Sequence, residues 1–254
     1  MFQYALGIPS VNGSTTVSKT ASGGSNPSGY AIDFYKYIMT NTLVGHIDLF
    51  PTPVAKYQKQ DHVEFKKIIN ELMQSTPTDK IFKGLGNISH YYNQGDLIEH
   101  NPKLEPFMIW IKECVKDYAS RFFGIVDAEF IDLNVWINSN SGGVQPGHIH
   151  NNSYFSATYY VQLDPLKHVG LDFFNPKTAT SRNPFIDVES SVETEYNTPS
   201  HKLSVEQGDL LIWPSECLHG YTQPEVDEPR ISISMNFMPS IVKSSLYGFK
   251  VSKL

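Results

Sequence analysis

Apolar positions along this chain change their period near residue 130. In residues 63–74, Phe65, Ile68, Ile69 and Leu72 fall at i, i+3, i+4 and i+7, the stripe of an amphipathic helix. Asp61 and Glu64 stand where a capping box would close its first turn. Residues 107–123 repeat the pattern with Phe107, Trp110, Ile111, Cys114, Val115, Tyr118 and Phe122 as the buried face, between Pro106 and Gly124. Ile32, Tyr35 and Ile38 mark a shorter candidate helix over 30–39. Residues 47–54 are expected to be extended, because Pro51 and Pro53 exclude the helical state before them. Residues 84–101 carry no assignable period.

Beyond residue 130 the alternation is two. Ile131, Leu133, Val135 and Ile137 alternate with polar partners, and further strands are expected at 155–163, 171–174, 202–205, 209–213 and 231–237. Short strands with Gly/Pro turns predict a β-sandwich or barrel, and helices that precede the strands predict cover over one sheet. The expected organisation is an arm over 1–45, Ser/Gly-rich at 10–29, followed by a single domain over 46–254. That domain comprises helical support over 61–125 and a β core over 130–239. Residues 175–200 form a polar insertion, read as either unstructured or a lid over substrate.

Composition narrows the classes. The 254 residues are 40% hydrophobic and 18% charged, enough for one sizeable core. A net charge of −6 without a basic run argues against nucleic acid or anionic membrane as partner. No apolar run approaches the ~18 residues of a membrane span. Two cysteines in apolar segments and no signal-peptide pattern lead us to expect a cytoplasmic protein. The closing Ser252-Lys253-Leu254 would mean a peroxisome only in a eukaryotic source. Oligomeric state is not readable.

The candidate chemistry centres on His148-Ile149-His150. In an extended segment, residues i and i+2 point to one side, so both imidazoles can aim at one point. His219 follows a strand and a proline break, and a jelly-roll sheet would bring it beside His148. Imidazoles suit Fe, Zn, Cu and Ni alike. His46, His62, His90, His100, His168 and His201 lie in polar surroundings and are read as solvated. In 230–237, alternation puts Arg230, Ser232, Ser234 and Asn236 on one face. Arg230 and Ser232 are then roughly 7 Å apart and suited to gripping a carboxylate.

The joint pattern resembles the 2-oxoglutarate/Fe(II)-dependent oxygenase superfamily, in a phage and bacterial branch related to prolyl hydroxylases. The resemblance spans 48–239. It begins with Leu49-Phe50-Pro51-Thr52-Pro53 and is carried by Trp136-Ile137-Asn138, His148-Ile149-His150, Tyr159-Tyr160, Trp213-Pro214-Ser215, His219, Gln223-Pro224 and Arg230-Ile231-Ser232. It implies a double-stranded β-helix (jelly-roll, cupin-like) fold, α+β and mainly β, with the N-terminal helices packed on one sheet. It implies Fe(II) held by His148 and His219, and 2-oxoglutarate as co-substrate held by Arg230 with Ser232, Tyr160 and Asn138. It also implies O2-dependent hydroxylation of an unactivated C–H, with release of succinate and CO2, on a peptide (peptidyl proline first) or a small molecule. No separate acid or base is assigned, and Trp136 and Trp213 are read as wall or core. Where most of the family has Asp or Glu, this chain has His150. It is either the third ligand, or water or Asp172 fills that place.

Two other readings stay open. Gly143-x4-His148-x-His150 and Gly208-x5-Pro214-x4-His219 approximate the motifs of a cupin metalloenzyme that uses no 2-oxo acid. That reading leaves Arg230, Ser232 and Tyr160 without a role. A metal-free jelly-roll binding module is the third.

Overall fold

The computed structural model describes residues 45–91, 101–176, 191–243 and 245–253. The expected helix at 30–39, the Ser/Gly-rich arm and most of the 175–200 insertion lie outside the described residues. Phe50–Leu254 forms one compact unit. Its strands are β1 (Ala55–Gln58), β2 (Ile81–Lys83), β3 (Ile88–Tyr91), β4 (Phe130–Asn140), β5 (Gly143–His148), β6 (Phe155–Gln162), β7 (Asp172–Phe174), β8 (Ser200–Lys202), β9 (Asp209–Pro214), β10 (His219–Gln223), β11 (Arg230–Pro239), β12 (Ile241–Lys243) and β13 (Gly248–Lys250). Its helices are α1 (His62–Ser75) and α2 (Glu105–Phe123).

The strands make a large sheet in the order β1-β9-β6-β11-β4-β3-β2, a small sheet in the order β5-β10-β7-β8, and a β12-β13 hairpin. All pairs are antiparallel. This is the jelly-roll, a double-stranded β-helix.

Alternation along the strands divides the large sheet into two chemically different faces. On one side Ile231, Ile233, Met235 and Phe237 of β11 join Val135 and Ile137 of β4 and Leu210 and Ile212 of β9. This face packs on Phe65 and Ile69 of α1 and on Phe107, Ile111, Val115 and Tyr118 of α2. On the other side Leu211 and Trp213 of β9 join Tyr160, Leu171, Val205 and Tyr221 in a second, smaller cluster. β9 is therefore buried on both faces, as a strand between a helical layer and a second sheet must be. The Tyr159-Tyr160 pair is split by the same rule. Tyr159 goes to the helical side, where its hydroxyl meets His62 Nδ1 at 2.8 Å, and Tyr160 goes to the interior of the roll.

Several local expectations are corrected. Asp61 does not cap α1 with its side chain, because its carboxylate pairs with Lys59 at 2.5 Å. Phe122 is 47% exposed, and its neighbour Phe123 packs on Phe155 of β6 instead. The strand expected at 202–205 sits earlier, at β8, where Ser200 pairs with Phe174, and Val205 is buried without being in a strand. The 84–101 stretch contains β3, paired between β4 and β2. Gly143–His148, assigned to no strand from the sequence, is β5, and His219 opens strand β10. Gly124 ends α2 in the left-handed conformation as expected, with φ 65°, and its N–H returns to Ser120 O.

Candidate metal centre

The three candidate histidines are brought together by strand register. His148 closes β5 and His219 opens β10, and the two are direct partners across that pair. The register slips between His219 and Tyr221, and Gly220 sits at the slip. A Cβ there would lie 2.5 Å from Gln145 O and 3.0 Å from Pro146 O, so the close approach of β5 and β10 requires glycine. His150 lies two residues past the end of β5, tied by its backbone N–H to Ser215 O at 3.0 Å. The ring centroids are 4.4 Å apart for His148 and His219, 5.0 Å for His150 and His219, and 5.1 Å for His148 and His150. Among the described residues, these three form the group whose ligand atoms lie within 4.8 Å of one another. Asp172, opposite Gly220 on β7, is not in it.

The hydrogen bonds of the rings decide what they can do. His148 Nδ1 meets Pro146 O at 2.9 Å, His219 Nδ1 meets Cys217 O at 2.8 Å, and His150 Nδ1 meets Asn236 Oδ1. A carbonyl oxygen only accepts, so each Nδ1 carries the proton and each Nε2 presents a lone pair. With their protons on Nδ1, His148 and His150 turn Nε2 atoms toward each other at 3.2 Å. Two facing lone pairs repel, and a cation between them removes the repulsion. Two nitrogens bound at right angles about 2.1 Å from one ion would be about 3.0 Å apart, so the donor set fits a metal with little adjustment.

Burial also favours the neutral ligand form. Desolvation pushes His219, 3% exposed, down to about 3, helped by the neighbouring His148 and His150. Desolvation likewise lowers His150. Rings that resist protonation do not oppose metal binding at neutral pH.

A cavity of about 300 Å³ opens on these rings between the two sheets. Trp136, Asn138, Thr158, Trp213 and Ser234 line it from the large sheet, and Gln145 and Tyr221 from the small one. Asn138 is therefore on the wall, but its amide is engaged. Oδ1 accepts from His90 Nδ1 at 2.7 Å, and Nδ2 donates to Ser234 Oγ at 2.9 Å. Trp136 and Trp213 are wall residues, as read.

Arg230, Ser232 and Tyr160 are not on this wall. Arg230 is 2% exposed, its guanidinium 3.8 Å from the ring centroid of Tyr221, which does line the cavity. Its Nη1 donates to Val169 O at 2.7 Å and its Nε is buried without a partner. No carboxylate among the described residues pairs with it. The Tyr160 hydroxyl, opposite Ser232 across the β6–β11 pair, is also buried without a partner, and burial moderated by Arg230 pushes it up to about 12. A buried cation with an unused N–H beside an unused O–H is the donor set a carboxylate would satisfy.

Some participants escaped the sequence reading. His90, read as solvated, is on the cavity wall because β3 joins the large sheet beside β4. His168 is buried and bridges loops, taking Asp164 N–H on Nδ1 at 2.8 Å and reaching Glu228 O through Nε2. His62 is half-buried against Tyr159. Asn236, on the polar face of β11, contacts His150. Only the alternation within 230–237 signalled that it faces inward.

Residues 134–236 match the sequence model of the family described as "Putative 2OG-Fe(II) oxygenase". Among solved structures, the chain is similar to the non-heme α-ketoglutarate-dependent epimerase SnoN from nogalamycin biosynthesis, with TM-score 0.52 and 10% identity over 74% of this chain and 79% of that one. It is also similar to the α-ketoglutarate-dependent carbocyclase SnoK of the same biosynthesis, with TM-score 0.51 and 11% identity over 74% and 81%. A prolyl-4-hydroxylase from Pseudomonas putida aligns at TM-score 0.49, with 10% identity over 73% of this chain and 92% of that one. No curated protein sequence matches the chain. No helix among the described residues is long and apolar enough to cross a membrane.

Proposed function

Because residues 134–236 match the model of the family described as "Putative 2OG-Fe(II) oxygenase", we propose that the chain is an Fe(II)- and 2-oxoglutarate-dependent dioxygenase that hydroxylates an unactivated C–H bond. His148, His150 and His219 hold the metal, with His150 as the third ligand. The observation that carries this reading is the convergence of three rings whose Nδ1 protons are all committed to oxygen acceptors. When bound, iron and 2-oxoglutarate activate O2 and supply the oxidising equivalent, the co-substrate leaving as succinate and CO2.

The chain's own residues bind, orient and exclude water. Arg230 takes the remote carboxylate of 2-oxoglutarate through its unused Nε–H, and the Tyr160 and Ser232 hydroxyls add donors. Tyr221 lies on the cavity wall and against the guanidinium, so its ring stands between the cavity and Arg230. Asn138 braces that side of the cavity through His90 and Ser234. Trp136 and Trp213 wall the metal, at ring-centroid distances of 6.0 Å from His150 and 4.9 Å from His219, and keep bulk water from it. The three-histidine set leaves the site one positive unit above a two-histidine, one-carboxylate set.

Succinate release tests the proposal. Protein supplied with Fe(II) and 2-oxoglutarate is expected to form succinate, and Arg230→Ala to lose that turnover while still binding iron. Bound iron without succinate formation, or equal turnover in Arg230→Ala, would favour the cupin reading. Peptides containing proline, assayed by mass spectrometry for a +16 shift, test the first substrate candidate. The fold neighbours SnoN and SnoK make small molecules the next class to assay.

A further inference from the structure

His150 stands where most of the resembling family has a carboxylate, and an imidazole is a ligand only if its free nitrogen faces the ion. We propose that Asn236 is the positioning residue that makes His150 a ligand, by holding the ring's proton on Nδ1. The inference rests on the metal-centre reading above and adds the element that makes a histidine workable at this place.

The argument starts from the amide's own orientation. Asn236 is 8% exposed on the inner face of β11, and its Nδ2 donates to Asn134 Oδ1 on β4 at 2.8 Å. With the NH2 group committed there, Oδ1 is the atom turned to His150. The Ser156 hydroxyl on β6 donates to the same Oδ1 at 2.9 Å. Ser156 Oγ lies 2.8 Å from Ser215 Oγ, which lies 2.9 Å from Ser153 Oγ. Asn134 on β4 thus sets the sense of the amide, and Ser156 on β6 contacts its other side. An amide flip would set Asn236 Oδ1 against Asn134 Oδ1, two acceptors with no proton between them.

An oxygen acceptor facing Nδ1 selects the tautomer. Nδ1 must carry the proton, and the unprotonated Nε2 is left 3.2 Å from His148 Nε2. Pro146 O and Cys217 O perform the same service for His148 and His219, but those acceptors are main-chain atoms that no substitution removes. His150 is the ring whose orientation depends on a side chain. Partners of this kind ordinarily change metal affinity by about 10–100-fold when removed.

The test is Co(II) titration of the metal-free full-length chain, read by the visible absorption of the bound ion. Asn236→Leu is expected to bind Co(II) about 10–100-fold more weakly and with an altered spectrum, because one nitrogen donor no longer faces the ion. Asn236→Asp is expected to bind at least as tightly as the parent, since its carboxylate also accepts from Nδ1 and from the Ser156 hydroxyl. Parental affinity in Asn236→Leu, or equal weakening in both variants, would overturn the proposal. Imidazole 15N NMR of the metal-free parent needs no variant and should report the Nδ1–H tautomer at His150; an Nε2–H tautomer would overturn it. A parent that binds no Co(II) defeats the metal-centre reading, while the NMR result still judges Asn236.

Discussion

Metal binding should be visible as heat stability, and its size follows from the geometry of the three rings. The donors are assembled in the folded chain: His148 and His219 are paired by strand register, and two Nε2 atoms stand 3.2 Å apart. In the unfolded chain His219 is far along the sequence from the other two, so the ion has high affinity for the folded form alone. A ligand that binds only the folded state stabilises it by about 2.7 kcal/mol when present at 100 times its dissociation constant. For a folded unit of this size, each kcal/mol moves the midpoint by about 2–4 °C, giving a rise of about 5–11 °C. Each further tenfold in free metal adds about 1.4 kcal/mol, or roughly 3–6 °C. The assay is differential scanning calorimetry of metal-free protein across a Ni(II) series, with reversal by chelator. His219→Ala and His148→Ala should lose most of the shift. A shift of the same size in either variant would place the ion elsewhere, and no shift in the parent would refute the convergence argument.

Three other outcomes are expected. Gly220→Ala should weaken Ni(II) binding at least as much as it lowers stability, because its Cβ would force β10 away from Gln145 O and spoil the His148–His219 register; calorimetry and metal titration measured together check this, and unchanged metal affinity would contradict it. Ile233→Ala, which opens a void between the large sheet and the helices, should cost about 2–5 kcal/mol in urea denaturation while leaving the polar face of β11 in place. Burial raises the Cys114 thiol to about 12 and the Cys217 thiol to about 11, so both stay protonated in the fold at pH 8. Alkylation by iodoacetamide at pH 8 should therefore be slow until the chain is unfolded. Because the unfolded thiols lose their protons first, these groups lower stability as pH rises from about 9 towards 11–12. Rapid alkylation of native protein would contradict the burial argument.

Local periodicity was enough to read the elements that pack on the helical face. The stripe Phe65, Ile69 and the stripe Phe107, Ile111, Val115, Tyr118 become the buried faces of α1 and α2, and the alternation of 231–237 becomes the two-faced strand β11. Such patterns are legible because a core face repeats with the geometry of its own element. The His-x-His pair, His219 and Arg230-x-Ser232 were legible in the same way, as spacings within one strand or turn.

Register and partnership were not legible, because they join positions far apart in the chain. β5 and β10 are short and rich in Gly, Pro and Gln, so no period announces them, yet their pairing sets His148 against His219. The placement of Tyr221 between the cavity and Arg230, the arrival of His90 beside β4 on strand β3, and the orientation of His150 by Asn236 all depend on packing between separate strands. The sequence by itself determined which residue types could serve a metal and a carboxylate, since side-chain chemistry and strand alternation are local properties. Only the tertiary structure decided which nitrogen of His150 carries the proton, because that depends on an oxygen of Asn236, 86 residues along the chain.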